Sequence, residues 1–409
     1  MPRLPDNLCV LRRRDFRLLF LGQGISVLGD RMVAVALAFA VLELGGSASA
    51  VGLVLACAVL PLVGSVLIGG VVADRTSRRS VMIAADLVRV ASQGATATLL
   101  IAGVAEVWTL ALFAGLTGAA TGFFNPASTG LLPEVVPPEE LQPANALRAT
   151  AVSTGEIAGP LMAGVLVAAA GAGWAIAVDA ATFAVSALCL WRLRVPGRVA
   201  QASASFLADL RDGWDAFRSR RWVWTFVVYF AGVNMLWGAW SALGPVVANR
   251  ELGGAAAWGV VLGSVGAGAL FGSLLATRAK PRRPLVLVAL TEAFFALPLA
   301  FLAAGAPTAL LACGAFLSGA GMMLGMSVWE STLQRLIPAE SLSRVASYDW
   351  FGSFAFYPIG LAVWGPVAGL IGVSTSLWIA FGLFLVLIAA QLAVPDTRRL
   401  RVEAAPTTG

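Results

Sequence analysis

A short polar island, Gly70-Val71-Val72-Ala73-Asp74-Arg75-Thr76-Ser77-Arg78-Arg79, lies between two long apolar stretches. A water-soluble chain does not hold a charged turn between two segments that can each cross a bilayer, and about 20 apolar residues in a helix match the hydrocarbon thickness. The island returns in degraded form as Gly272 through Arg278, followed by Lys280, Arg282 and Arg283, again between apolar stretches. Two similar halves, each with a basic hairpin on one membrane face, are the pattern of a transporter built from internal repeats.

Composition points the same way. The chain is 59% hydrophobic and 12% charged, where soluble domains carry about 25% charged residues. The alternating segments of an outer-membrane barrel are absent. Twelve spans fall at approximately 17–43, 49–72, 80–102, 106–126, 145–169, 174–193, 222–247, 255–277, 284–304, 308–332, 345–369 and 373–394. The expected fold is an all-α membrane protein, with twelve transmembrane helices in two pseudo-symmetric six-helix bundles. Residues 1–193 form the first bundle, 194–221 the connection, and 222–409 the second bundle and tail.

With that topology the basic residues gather on one side. They occupy the first tail (Arg3, Arg12, Arg13, Arg14, Arg17), both basic hairpins, the connection from Arg192 to Arg221, the turn holding Arg335 and Arg344, and the last tail (Arg398, Arg399, Arg401). The other side carries only Arg250. The positive-inside rule puts both termini in the cytoplasm. The heavy use of Arg, Ala and Gly suits a GC-rich bacterial genome, so a bacterial inner membrane is expected. No cleavable signal peptide is visible, because the first apolar run is already of spanning length. Charges spread over short loops argue against nucleic acid as a partner. The expected partners are membrane lipid, a small amphipathic molecule and protons, with the chain a monomer.

Several chemistries are excluded by residue type. There is no histidine, so His-based catalysis and ligation are unavailable and any proton coupling must use carboxylates. Cys9, Cys57, Cys189 and Cys313 are far apart and form no CxxC motif, so neither a metal site nor a disulfide framework is indicated. The single lysine, Lys280, stands between Ala279 and Pro281, so no phosphate-binding P-loop exists. The glycines of Gly263-Ser264-Val265-Gly266-Ala267-Gly268 lie inside a span with no preceding strand and are read as helix packing. No cofactor and no enzymatic activity are expected.

The connection places Phe206, Leu207, Leu210, Trp214 and Phe217 at near-helical spacing among Asp209, Arg211, Asp212, Asp215 and Arg218. This reads as an amphipathic helix on the cytoplasmic membrane surface, capped by Ser205.

Embedded acids are the sharpest mechanistic lead, since charges at mid-bilayer are costly and line cavities or find partners. Asp30 lies near the middle of span 1, Glu156 in span 5, Asp179 in span 6 and Glu292 in span 9. A low-dielectric cavity favours the protonated form of a carboxyl group, which lets such a group bind and release a proton. Asp30 is the first choice for proton coupling and Glu156 the second. The alternative for Asp30 is an ion pair with Arg31 or Arg148 that only fixes helix packing. Asp86 and Arg89, three apart, read as a mutually neutralising structural pair. Glu330 and Asp349, near cytoplasmic span ends, suit gating or hydration. Arg31, Arg148, Tyr229, Asn234, Trp237, Trp240, Phe294, Phe354 and Tyr357 are candidates for a substrate cavity. Aromatic faces suit amphipathic or cationic ligands, although aromatic residues also form interfacial belts.

Three groups of residues carry a family resemblance. The first hairpin, with Gly70, Asp74, Arg75, Arg78 and Arg79, resembles the loop 2–3 signature of the major facilitator superfamily, except that Ser77 stands where that family usually has Gly. Gly155, Gly159, Pro160 and Gly164 resemble the antiporter motif of its drug-exporting branches, with Ala163 replacing a Gly. Gly22 through Asp30, Asn125-Pro126-Ala127, Leu131 through Glu134, Asn145-Ala146-Leu147 and Gln334 through Pro338 resemble the macrolide-efflux and siderophore-export branch. The resemblance implies that the first hairpin is a cytoplasmic gate. It also implies export of drug-like or antibiotic-like molecules by proton antiport with alternating access. A siderophore exporter and a lysophospholipid flippase share the fold and remain alternatives; a non-transporting membrane sensor has no use for the gate and antiporter motifs.

Overall fold

The computed structural model describes residues 10–194, 214, 215 and 217–401. Arg3, Cys9, Ser205 and the apolar residues of the connection before Trp214 lie outside the described residues. So do the side chains of Asp74 and Arg344.

The chain forms two compact units, one of Met1–Ala202 with Gly253–Gly259, the other of Ser203–Leu252 with Val260–Gly409. In the first, α1 (Arg14–Glu43), α2 (Ala48–Arg75), α3 (Arg78–Ile101), α4 (Val107–Val135), α5 (Leu141–Ala170) and α6 (Ala172–Trp191) run in sequence. Within it α2 packs on α4, α1 on α5 and α6, and α3 on α4 and α6. The second contains α7 (Arg221–Val247), most of α8 (Ala255–Arg278), α9 (Pro284–Ala303), α10 (Thr308–Leu336), α11 (Ala339–Phe354), α12 (Tyr357–Ile371), α13 (Val373–Ala393) and the short α14 (Pro395–Arg399). There α9 packs on α10 and α13, and α7 on α11, α12 and α13.

Among the described residues, eleven helical segments are long and apolar enough to cross a membrane. The remaining expected span, α3, has 24 residues and buries Asp86, Arg89, Ser92, Gln93 and Thr96 on one face while exposing Leu87 and Val88. Its amphipathicity is the inverse of a soluble helix, with the polar stripe hidden inside the protein.

The internal repeat is clearer in the backbone than in the sequence. Every described positive-φ residue is a glycine. The α3–α4 turn uses Gly103 at φ 70° and the α9–α10 turn Gly305 at φ 66°. The α5–α6 turn uses Gly171 at φ 90° and the α12–α13 turn Gly372 at φ 88°. Left-handed backbone costs a side chain about 1–2 kcal/mol, so glycine is the default there. Helix starts are set by local caps, with Ser47 Oγ accepting from Ala50 N and Ser77 Oγ from Ser80 N, both at 3.3 Å. Ser77, the departure from the gate signature, therefore caps α3.

Two expected spans need correction. The fourth, expected to end near 126, continues to Val135 with Pro126 and Pro133 inside the helix. Proline is tolerated in membrane helices where neighbours satisfy the loosened backbone. Here Arg78 Nη1 donates to the Gly130 carbonyl at 2.7 Å in the turn that Pro133 weakens. The eleventh, expected as one helix over 345–369, is broken between Phe354 and Tyr357 into α11 and α12. Pro358 removes a backbone donor and its ring crowds the carbonyl four residues back, that of Phe354.

Candidate functional site: the polar interior of the first unit

The buried face of α3 repeats at helical spacing through Asp86, Arg89, Gln93 and Thr96, so these side chains point into the same interior. Arg89 is 1% exposed, and its Nη2 donates to Asp86 Oδ1 at 2.5 Å. Its Nη1 lies 3.8 Å from Asp30 Oδ2 of α1. The guanidinium carbon sits 4.2 Å from the ring centres of both Phe124 on α4 and Phe183 on α6. A cation between two ring faces is held by their quadrupoles and kept from water. One turn further along α3, Gln93 Nε2 donates to Asp179 Oδ2 at 2.8 Å. Thr182 donates to the Asp179 carbonyl at 2.7 Å, and Asp179 Oδ1 has no donor. Gly29 leaves the space that Asp179 Oδ1 fills beside α1.

Asp30 and Asp86 thus share one buried guanidinium, with Asp179 held beside them by Gln93. The alternative reading of Asp30 pairs it with Arg31 or Arg148; the ion pair in the structure is with Arg89. Arg31 pairs with Glu156 at 3.3 Å. The Asp86–Arg89 pair is present as expected, but it also reaches Asp30, which spacing within one helix cannot reveal. Phe124, Phe183, Gln93 and Ser128 were not singled out from the sequence; the polar stripe of α3 was the available signal for Gln93.

Asp30 opens onto a cavity of about 480 Å³ within this unit, inside the range of roughly 300–1,000 Å³ usual for small-molecule sites. Gln23, Asp30, Arg31, Ser128 and Arg148 supply polar walls, and Val27, Leu62 and Phe124 apolar ones. Ser128 Oγ accepts from Gln23 Nε2 at 2.7 Å and from Arg148 Nη2 at 3.0 Å. Arg148 makes no ion pair among the described residues.

The chain matches the Major Facilitator Superfamily over residues 19–354. It belongs to that superfamily. Among its relatives in the superfamily, it is 27% identical over 405 residues to the multidrug efflux pump Tap of Mycolicibacterium fortuitum, covering 92% of this chain and 95% of Tap. It is 25% identical over 211 residues to macrolide efflux protein A of Streptococcus pyogenes, covering 50% of this chain. That match spans about half the length of the relative, 52%. In fold it is similar to a mutant form of the nucleoside transporter NupG, with TM-score 0.76, 15% identity, and 93% and 99% of the two chains covered. A bacterial homologue of the human lysosomal transporter Spinster gives TM-score 0.73 at 14% identity, covering 96% and 99%. The protein is therefore a member of the superfamily with many helices of membrane-spanning length, and its relatives include proteins named for drug efflux.

In the superfamily's loop 2–3 signature, Arg78 also donates to Glu134 Oε1 at 2.9 Å. Arg79 Nε donates to the Leu190 carbonyl at 2.8 Å, and its Nη2 to that of Trp191. Both arginines thus tie the hairpin to α4 and α6 of their own unit, while Arg75 is exposed at the end of α2. In the antiporter motif, Gly155 and Gly159 let α5 approach α1 at Val27, Leu28 and Arg31. A Cβ on Gly164 would meet the backbone at Ala255 and Gly259, which cluster with the same unit. Pro160 is buried.

The remaining candidates fall in the second unit. Tyr229 and Trp240 are buried. Trp237 stacks on Phe295 with ring centres 3.8 Å apart and on Trp240 at 5.3 Å. Asn234 Nδ2 is occupied by the Phe230 carbonyl at 3.0 Å. Tyr357 donates to Ser241 at 3.0 Å, and Phe354 stacks on Trp350 at 5.2 Å. Phe294 is exposed. Glu292 is 6% exposed and has no ion pair among the described residues. Asp349 accepts from Trp329 Nε1 at 2.9 Å, which ties it into an aromatic cluster; Glu330 is exposed.

Proposed function

We propose that this protein exports small amphipathic molecules across the bacterial inner membrane by proton antiport and alternating access, both termini lying in the cytoplasm. The observation that carries this reading is Asp30. It stands in the wall of a ligand-sized cavity, 3.8 Å from a guanidinium already bonded to Asp86. An acid that shares its cation with another acid is poorly compensated as an anion, so a proton or a cationic group of the cargo stabilises it. Competition of those two for Asp30 is antiport. Glu156, paired with Arg31, is the secondary group; Asp179 extends the acid cluster behind Asp30, and Glu292 is a separate acid in the second unit.

The relatives named as macrolide and multidrug efflux proteins support a drug-like cargo. The test is uptake of labelled macrolides and lipophilic cations into inside-out vesicles with an acidic interior, with and without protonophore. Uptake abolished by protonophore in the native protein, and insensitive to it in Asp30→Asn, is the expected result. Asp30→Asn vesicles that retain normal, protonophore-sensitive uptake would remove Asp30 from the mechanism.

A further inference from the structure

The cavity of the first unit is lined by both signs of charge, carried on different helices. On one wall Asp30 shares the Arg89 guanidinium with Asp86, and Asp179, held by Gln93, adds a third acid close by. On another, Arg148 of α5 reaches only a neutral partner, the Ser128 hydroxyl at 3.0 Å, and lines the same 480 Å³ space. The third charged lining residue, Arg31, is already neutralised by Glu156 at 3.3 Å. The rest of the lining is uncharged, with Val27, Leu62 and Phe124 among its apolar residues and Thr117, Thr121 and Asn125 among its polar ones. A purely cationic ligand held at Asp30 leaves the Arg148 guanidinium against an apolar body, and a purely anionic one held at Arg148 leaves the acid wall uncompensated. Both arrangements bury a charge without a partner, which is costly. A ligand with both charges satisfies both walls and gains a charge-assisted hydrogen bond at each.

We infer that this cavity selects zwitterionic amphiphiles, with the ammonium of the cargo at Asp30 and its carboxylate or phosphate at Arg148, flanked by Ser128 and Gln23. The inference rests on the reading of the protein as an exporter and adds the class of cargo. It also gives antiport a chemical basis, since the ammonium and the coupling proton then occupy the same carboxylate in turn.

The probe is an octyl series in which only the head group changes: octylammonium, octyl phosphate and octylphosphoethanolamine. Binding to the purified full-length protein in nanodiscs is read by calorimetry with no pH gradient. The expected result is that octylphosphoethanolamine binds about tenfold or more tighter than either singly charged compound, since a hydrogen bond to a charged group contributes about 1.5–3 kcal/mol. Arg148→Gln should make octylammonium the preferred ligand, and Asp30→Asn octyl phosphate. Opposite changes of preference in two variants cannot arise from misfolding, which abolishes all binding together. Equal binding of all three probes by the native protein, or variants that keep its order of preference, would overturn the inference. Zwitterion preference in nanodiscs alongside vesicle transport indifferent to protonophore would uphold the cavity assignment and overturn proton antiport.

Discussion

The two units hide different things from the lipid. The first buries ionic groups, with Asp30, Arg89, Asp86 and Asp179 connected through α1, α3 and α6. The second buries rings. Trp329 packs against Phe226 at 5.0 Å, Phe230 at 5.4 Å and Trp222 at 5.7 Å, while Trp237, Trp240 and Phe295 form a second stack. The basic hairpins differ in the same way. Arg78 and Arg79 are bonded into α4 and α6, whereas Arg278, Lys280, Arg282 and Arg283 make no ion pair among the described residues. A shared helical plan therefore carries two kinds of interior. Ionic groups change their charge and partners, so the proposed coupling rests on the first unit. Stacked rings have fixed shape and no net charge, so the second unit suits a rigid body.

The comparison breaks most readily at Arg89. Arg89→Leu leaves Asp86 buried beside a second acid without a cation, and should cost about 3–5 kcal/mol. The double replacement Asp86→Leu with Arg89→Met should regain part of that, because it removes the fully buried acid together with its cation while still leaving Asp30 without Arg89. Unfolding in detergent measures both, and a single variant as stable as the native protein would deny the ionic interior any structural weight. Trp329→Ala tests the other unit. It opens a cavity among rings, but lipid is as apolar as the core, so the loss is one of packing without water transfer. About 2–3 kcal/mol is expected, below the values for soluble cores. Proton sensitivity of transport should survive this change in the folded fraction; its loss would place coupling in the second unit as well. Arg78→Ala removes a part-buried charged contact with Glu134 and should cost about 1.5–3 kcal/mol. Faster hydrogen exchange at the start of α3 would locate the effect at the hairpin. Arg221→Ala, at an exposed pair 3.9 Å from Asp396, should change stability by under about 1 kcal/mol. A larger loss would mean that the second unit also relies on ion pairs.

Much of this was legible in the sequence, for reasons specific to membranes. Apolar runs marked twelve spans, and the Gly70–Arg79 island marked the first basic hairpin. The acids of the site stood out because embedded charge is rare. What the sequence hid was pairing. Asp30 has an arginine beside it in sequence, yet its partner comes from α3. Arg89 has its own acid three residues away, yet it serves two. The Trp240 and Tyr229 side chains read as cavity walls, and the structure places them inside an aromatic core. Helix ends misled at two prolines, because Pro133 lies within a continuous helix while Pro358 follows a break.

The hidden polar stripe of α3 also bears on how the chain is made. Each charged residue near the centre of a helix adds about 2.5–3.5 kcal/mol to the free energy of insertion, and Asp86 and Arg89 both count against α3 as it leaves the ribosome. Its compensating groups include Asp30, already synthesised, and Phe124 and Phe183, which follow only with α4 and α6. This helix is consequently a poor candidate for entering lipid alone. It should wait at the translocon or the membrane surface until later segments arrive, which makes biogenesis of the first six helices a joint event.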